Sequence, residues 1–208
     1  LGFGAPAGFD PIHAHDAGAV EFHPFGQPHH GLALQNEGMD LRRRELWRVG
    51  GERGRDPGRR DPAADDALAA FPRPTIAFLQ GSCVGGGAEI AISCDLRIAE
   101  SSARFGITPA RLGIVYPSFA LERAVAVIGP AAAKHLLYSA ELIGAERAHH
   151  IGLVHEVLDP GLAAERVAHL ARLLADERSL LTQQATKEMI ASIGATGAVA
   201  PEVAARWA

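Results

Sequence analysis

The sequence predicts an α/β fold, and three observations predict it. After residue 62, short apolar runs alternate with helical patterns, the order expected of strands and helices packed in layers. One run, "TIAFLQ" at residues 75–80, is apolar without alternation, as when both faces of a strand are covered. Three consecutive glycines, Gly85 to Gly87, stand between that run and an apolar helical stretch. Glycine loses the most backbone freedom on folding, so a run of them implies that something must approach the main chain closely.

The elements follow in order. "AADDALAAF" is the end of a helix leading to "PRP", and "TIAFLQ" is the first strand. The glycine loop comes next, then a short helix over residues 88–93 and a second strand, "DLRIA", over 95–99. "SFALERAVAVIG" is a helix stopped by Gly129, and Pro130 opens another at the first helical position, where its missing N–H costs nothing. "AERAHHIG" is a short helix and "LVHEVLD" a strand. "PGLAAERVAHLARLLADER" is amphipathic, with Leu162, Val167, Leu170, Leu173 and Leu174 near helical spacing, and "LLTQQATKEMIASIG" is the last well-marked helix.

Residues 1–62 read differently. Only Ile12, Val20 and Val49 supply Val or Ile, and eight arginines fall between Arg42 and Arg60. Little burial is available to offset chain entropy, so the segment is expected to be poorly ordered apart from a helical pattern around "MDLRRRELWRV". Its His-Pro and Arg-Gly repeats resemble out-of-frame translation of GC-rich coding sequence; the plainer alternative is a solvated tail. The arginine run lacks interleaved aromatics apart from Trp47, and "HAH" and "HH" (His13, His15, His29, His30) lack a carboxylate or thiol at ligand spacing. The domain organisation expected is therefore a divergent segment, 1–62, and a folded domain, 63–208.

Bulk properties restrict the function. A formal net charge of −4 over 208 residues gives no reason to expect nucleic acid or an anionic membrane as partner. Cys83 and Cys94 sit in apolar segments without metal spacing, which points to core residues in a reducing compartment and a cytoplasmic location. No apolar run reaches eighteen residues, and the start "LGFGAPAGFD" has no basic n-region.

The glycine loop is the candidate site. The first N–H groups of a helix lack intrahelical partners, and the helix dipole adds partial positive charge there. Glycines leave those donors unshielded, which makes a place for a negatively charged oxygen, either phosphate or a developing oxyanion. A Walker loop needs Lys and Ser/Thr after the glycines, where this chain has Ala88 and Glu89, and the dinucleotide pattern G-x-G-x-x-G is absent. Glu89 follows Gly86 by three residues and shares its side of a helix, so a donor and a proton-handling group stand together. The plain alternative is a tight turn whose Glu caps the helix. Burial of Glu89 among Val84, Ile90 and Phe78 is expected from the pattern.

From about Phe71 to about Ile190 the chain resembles the crotonase (enoyl-CoA hydratase/isomerase) superfamily. The resemblance rests on the G-x-x-x-G-G-G-x-E loop, the Cys-Asp after it, the Phe-Gly beyond the second strand, and A-x-x-x-G-L-V. It implies a spiral of ββα units, here incomplete at the N-terminus, an acyl-CoA thioester substrate, no cofactor beyond the coenzyme A of the substrate, and a trimer or hexamer. It also implies that the N–H of Gly86 stabilises a thioester enolate, with Val84 and Gly85 beside it in the substrate site and Glu89 as the first of the two hydratase glutamates. Twenty residues on, where the second glutamate is expected, stands Pro109. "FGITPARLGIVYPS" is similar instead to the methylmalonyl-CoA decarboxylase branch, with Thr108 and Pro109 followed by Tyr116. That likeness implies catalytic roles for Thr108 and Tyr116 and substrate contacts from Pro109 and Leu112. It favours decarboxylation of a malonyl-type thioester, or double-bond isomerisation through Glu89, over hydration. No F-C-A-G-x-D-like stretch supplies the second oxyanion N–H, and "GFGAPAGFD" stands at the wrong distance. Absent opening strands would leave the edge at 75–80 unpaired. The C-terminal "APEVAARWA" stops where the family adds helices. The alternative is a noncatalytic acyl-CoA binder or assembly remnant. Lys187 is read as a surface lysine or a contact for a coenzyme A phosphate, and His149 and His150 as a solvated helix face.

Overall fold

The computed structural model of the chain describes residues 18–21, as backbone, and 62–208. The expected helix around Leu46, the histidine pairs and the arginine run lie outside the described residues. The elements in chain order are β1 (Gly18–Glu21), α1 (Pro62–Ala69), β2 (Thr75–Leu79), β3 (Ser82–Val84), α2 (Gly86–Ser93), β4 (Leu96–Glu100), β5 (Arg104–Gly106), α3 (Pro109–Leu112) and α4 (Ser118–Ser139). They continue with β6 (Ile143–Gly144), α5 (Ala145–His150), β7 (Glu156–Leu158), α6 (Leu162–Asp176), α7 (Leu180–Thr196) and α8 (Pro201–Arg206).

Among the described residues the strands form two sheets. One is parallel, in the order β1-β2-β4-β7; the other is β3-β5-β6. Each pass of the chain puts one strand in each sheet and then a helix: β2-β3-α2, then β4-β5-α3. This is the ββα spiral expected of an α/β chain of this kind. The expected open edge at β2 is corrected: β1 lies along it in parallel, with Gly18 opposite Thr75 and Glu21 opposite Phe78. Four residues carrying a single β-branched side chain gave no strand signal, and the pairing comes from the edge that β2 offers.

The unalternating apolar run in β2 is explained by two separate cores. Ala77 and Leu79, with Ala99 of β4, face the larger core, with Ile90 and Ile92 of α2, Ala124 and Leu136 of α4, and Ala148 of α5. Ile76 and Phe78, with Ile98 of β4, face the opposite side and pack on α6. Burying each such Leu, Ile or Phe side chain contributes about 1.5–3 kcal/mol. The face of α6 that makes this contact is Ala163, Val167 and Ala171, spaced four apart, and Leu162 points to solvent. The expected leucine stripe therefore flanks the contact, and small residues let the helix sit close to the sheet. Within α4, Gly129 departs from helical geometry ahead of Pro130, where the sequence predicts one helix to stop and another to start.

Polar residues fix the ends of these elements. Asp95 Oδ2 accepts from Thr75 N at 2.7 Å, from Thr75 Oγ1 at 2.9 Å and from Lys187 Nζ at 2.7 Å. Lys187 also donates to Arg73 O at 3.2 Å. With its side chain 18% exposed, Lys187 ties α7 to the start of β2 and is neither a surface lysine nor a free phosphate contact. The Arg97 side chain is buried and donates to Leu153 O at 2.7 Å, Cys94 O at 2.6 Å and Ala91 O at 3.2 Å. Burial holds its pKa below the ordinary guanidinium value.

At β7 the sheet is extended by a side chain. His155 N donates to Arg97 O at 2.9 Å, and His155 Nδ1 accepts from Arg97 N at 3.0 Å. Nδ1 must be unprotonated to accept. Desolvation first, then the Arg97 charge, lowers the His155 pKa from the usual 6.5 or so, against smaller raising effects from the Arg97 main-chain bond and Glu156. The unfolded chain therefore takes up this proton first, and the fold loses stability as pH falls below about 6.5 toward the folded-state value. His155→Asn keeps an acceptor at the same place without titrating. The melting temperature of the wild-type chain should fall more steeply than that of the variant between about pH 7 and pH 5.5; superimposable profiles would contradict the assignment.

Candidate active site

The loop owes its shape to one residue. Gly85 has φ 58° and ψ −119°, a combination that L side chains strongly disfavour, and it occupies the N-cap of α2. Its N–H donates to Gly106 O at 2.9 Å, joining the end of β3 to the end of β5. Its carbonyl accepts from Glu89 N at 3.1 Å and starts the helix. Gly86 is thereby the first residue of α2 rather than part of the loop, so the helix begins two residues earlier than the sequence pattern suggests. Its N–H sits at the helix terminus with no acceptor among the described residues. Helix polarity and the bare backbone together make it a donor for an anionic oxygen.

Glu89 stands in the first turn of α2 and is 7% exposed. Of the neighbours expected to bury it, Phe78 lies instead on the opposite face of the sheet, packed on α6. Ser93 Oγ donates to Glu89 O at 3.0 Å, and Arg123 of α4 donates to Ser93 Oγ at 3.3 Å and pairs with Asp66 of α1. At the far end of the helix, Arg97 satisfies the carbonyls of Ala91 and Cys94 and places positive charge against the negative end of the dipole. Both thiols are buried, and burial pushes Cys83 and Cys94 up to about 12, so they are inert core groups as expected.

The remaining candidates divide. Val84 ends β3 and pairs with Gly106 of β5. Thr108, half-buried, is the N-cap of α3 and makes no side-chain capping bond; Pro109 is the first residue of that helix. The β3–β5 ladder thus brings Thr108 and Pro109 to the same end of the sheet as Gly85 and Gly86. Leu112 ends α3 and is 70% exposed. Tyr116, in the connection to α4, is half-buried against the larger core, with its hydroxyl oxygen out of contact with solvent. An ordinary tyrosine resting with its OH at the surface does not fit that placement. His149 and His150 are exposed on α5. Gly106, Asp95 and Arg97 shape the site and carry no role in the sequence reading beyond motif membership. An arginine inside the apolar run "DLRIA" was the available signal for Arg97.

A cavity of about 180 Å³ lies between Arg73, Leu174, Ala175, Leu180 and Gln183, and a smaller one lies between α4 and α5. Neither reaches the glycine loop. Among the described residues no group of three or more His, Cys, Asp or Glu could hold a metal, and no helix is long and apolar enough to cross a membrane.

The spiral, the turn at Gly85 and the N–H of Gly86 define a fold built around a backbone donor at a helix start. The enoyl-CoA hydratase/isomerase family model matches residues 54–205, and the chain belongs to that family. It is similar to the crotonyl-CoA hydratase of Syntrophomonas wolfei, 43% identical over 93 residues, covering 45% of this chain and 36% of that one. The chain spans about a third of the length of curated relatives that it matches in sequence. In three dimensions it resembles an enoyl-CoA hydratase/carnithine racemase from Magnetospirillum magneticum, with TM-score 0.67 and 30% identity over 70% of this chain and 54% of that one. It also resembles a methylmalonyl-CoA decarboxylase complexed with 2S-carboxypropyl-CoA, with TM-score 0.64 and 26% identity over 77% of this chain and 65% of that one.

The turn at Gly85 is testable by itself. A Cβ there would meet nothing within 4 Å, so Gly85→Ala is opposed by backbone conformation alone. It should destabilise the chain by about 1–3 kcal/mol, read as a lower urea midpoint. An unchanged midpoint would show that the turn is not held at positive φ.

Proposed function

We propose that the chain acts on an acyl-CoA thioester, whose carbonyl oxygen takes the Gly86 N–H as the thioester becomes an enolate. The observation that carries this reading is the main-chain donor at the start of α2, without an acceptor among the described residues and beside a buried carboxylate. Family membership supports the substrate class. The proline at position 109, with Thr108 before it and Tyr116 beyond, favours decarboxylation of a malonyl-type thioester or double-bond isomerisation over hydration.

In the decarboxylation the bond between the α-carbon and its carboxylate breaks, and CO₂ leaves. The electron pair is delocalised onto the thioester oxygen, where the Gly86 N–H and the α2 dipole meet the charge. The α-carbon then takes a proton from Tyr116 Oη or from Glu89, and solvent restores the donor. No base has to remove a carbon-bound proton, so the absence of a carboxylate at position 109 is no obstacle. In the isomerisation Glu89 takes a proton from one carbon and returns it to another. The reading assigns no resident metal or cofactor, coenzyme A arriving with the substrate. It also assigns a trimer or hexamer and a cytoplasmic location.

The test is to follow CO₂ release from methylmalonyl-CoA and loss of the conjugated double bond of crotonyl-CoA with the folded chain. Release of CO₂ should exceed hydration, and Tyr116→Phe should lower it by about 10²-fold or more. Faster hydration than decarboxylation would contradict the assignment at position 109. Binding of either thioester with turnover of neither would favour a noncatalytic acyl-CoA binder.

A further inference from the structure

Gly106 leaves a gap on the outer face of the small sheet, and Leu142 fills it. In β3-β5-β6, Cys83 and Phe105 face the core. Val84 and Gly106, paired with each other, therefore face outward together. The antiparallel register of β5 and β6 places Phe105 opposite Ile143, and one further step places Leu142 opposite Gly106. A Cβ built on Gly106 would overlap Leu142 Cδ2, so the leucine lies across the bare strand. The same Cβ would come within 3.5 Å of Thr108 Cγ2 and of Glu141 O. Gly106 is thus walled by one methyl from Thr108 and roofed by a leucine that is 46% exposed.

This gap adjoins the donor. Gly106 O holds Gly85 N–H, and Gly86 follows Val84 by two residues, at most about 7 Å of chain. A thioester whose oxygen lies on Gly86 N–H has its α- and β-carbons within a few bonds of the row Val84–Gly106–Leu142. That row is apolar, and Leu142 is its most exposed member, 46% open to solvent, with Val84 half-buried.

We propose that Leu142 sets which acyl groups the site admits, acting as the movable wall of an acyl slot floored by Gly106. The proposal rests on the acyl-CoA reading above. A leucine lying over the gap leaves room for a short or unbranched acyl group and opposes bulk beside the α-carbon. One methylene in such a pocket changes discrimination by about 10–200-fold. Leu142→Ala uncovers the gap, whereas Leu142→Phe, at a position half open to solvent, fills it further without burdening the core.

The experiment is calorimetric binding of acetyl-, butyryl- and isobutyryl-CoA to the wild-type chain and to both variants, with melting temperatures recorded in parallel. Leu142→Ala should raise affinity for isobutyryl-CoA relative to acetyl-CoA by about tenfold or more, and Leu142→Phe should lower the same ratio. Ratios unchanged in both variants, with all three thioesters still bound, would overturn the role of Leu142 and leave the acyl-CoA reading standing. Failure of the wild-type chain to bind any of the three would overturn both. If Leu142→Ala does not fold, the Leu142→Phe ratio alone decides: a fall supports the slot, and no change refutes it.

Discussion

The structure depends on holding one short helix at both ends. At its start, the conformation of Gly85 turns the chain out of β3 and begins α2 at Gly86. At its end, the buried guanidinium of Arg97 gathers carbonyls from Ala91, Cys94 and Leu153, which joins α2 to β4 and to the segment before β7. Two turns of helix would not be stable alone, because nucleation costs more than so few bonds return. Burial of seven of its residues, Gly87 to Ser93, and the two anchors fix it instead. The direction of the Gly86 N–H is then a property of the whole spiral, and no side chain at the site has to aim it.

The same logic explains the ionic groups around the helix. Asp95 collects three donors on one oxygen and couples α7 to the start of β2. Among the described residues Arg97 has no carboxylate hydrogen-bonded to it, and its donors are satisfied by the main-chain oxygens of Leu153, Cys94 and Ala91. Charge inside this domain therefore sets backbone geometry. The candidate chemistry is left to a backbone amide, Glu89 and hydroxyls. A site built this way can change its reaction by exchanging peripheral side chains while the donor stays in place. On the proposed function, Pro109, standing where the hydratase pattern has a carboxylate, would be one such exchange.

Much of this was legible in the residues, and the rest was hidden for physical reasons. α6 and α7 are long enough to carry a period, β2 and α2 are apolar enough to stand out without one, and the glycine triplet marks the turn. β3, β5 and β6 have three residues or fewer, too short for any alternation, and they form because the spiral brings their backbones side by side. β1 pairs through main chain that its sequence does not advertise. Lys187 looked like any lysine on an amphipathic helix; only the fold brings Asp95 to it across 92 residues of chain. Leu142 carried no signal, since its significance comes from the missing side chain opposite. The Thr108–Tyr116 segment was readable by likeness alone, because no periodicity tells a site loop from a surface one.

The central claim is that the Gly86 N–H carries the charge of the reacting thioester, and Gly86→Pro tests it most directly. Proline is favoured at the first position of a helix and replaces the N–H with a ring carbon, so the donor is lost while the helix start is kept. Gly85, at φ 58° and ψ −119°, holds the mirror image of the extended conformation that proline requires before it, which glycine tolerates. The variant should keep its melting temperature within a few degrees while kcat/KM for the thioester that the wild-type chain converts fastest falls by about 10²–10³. A folded proline variant with full activity would contradict the claim.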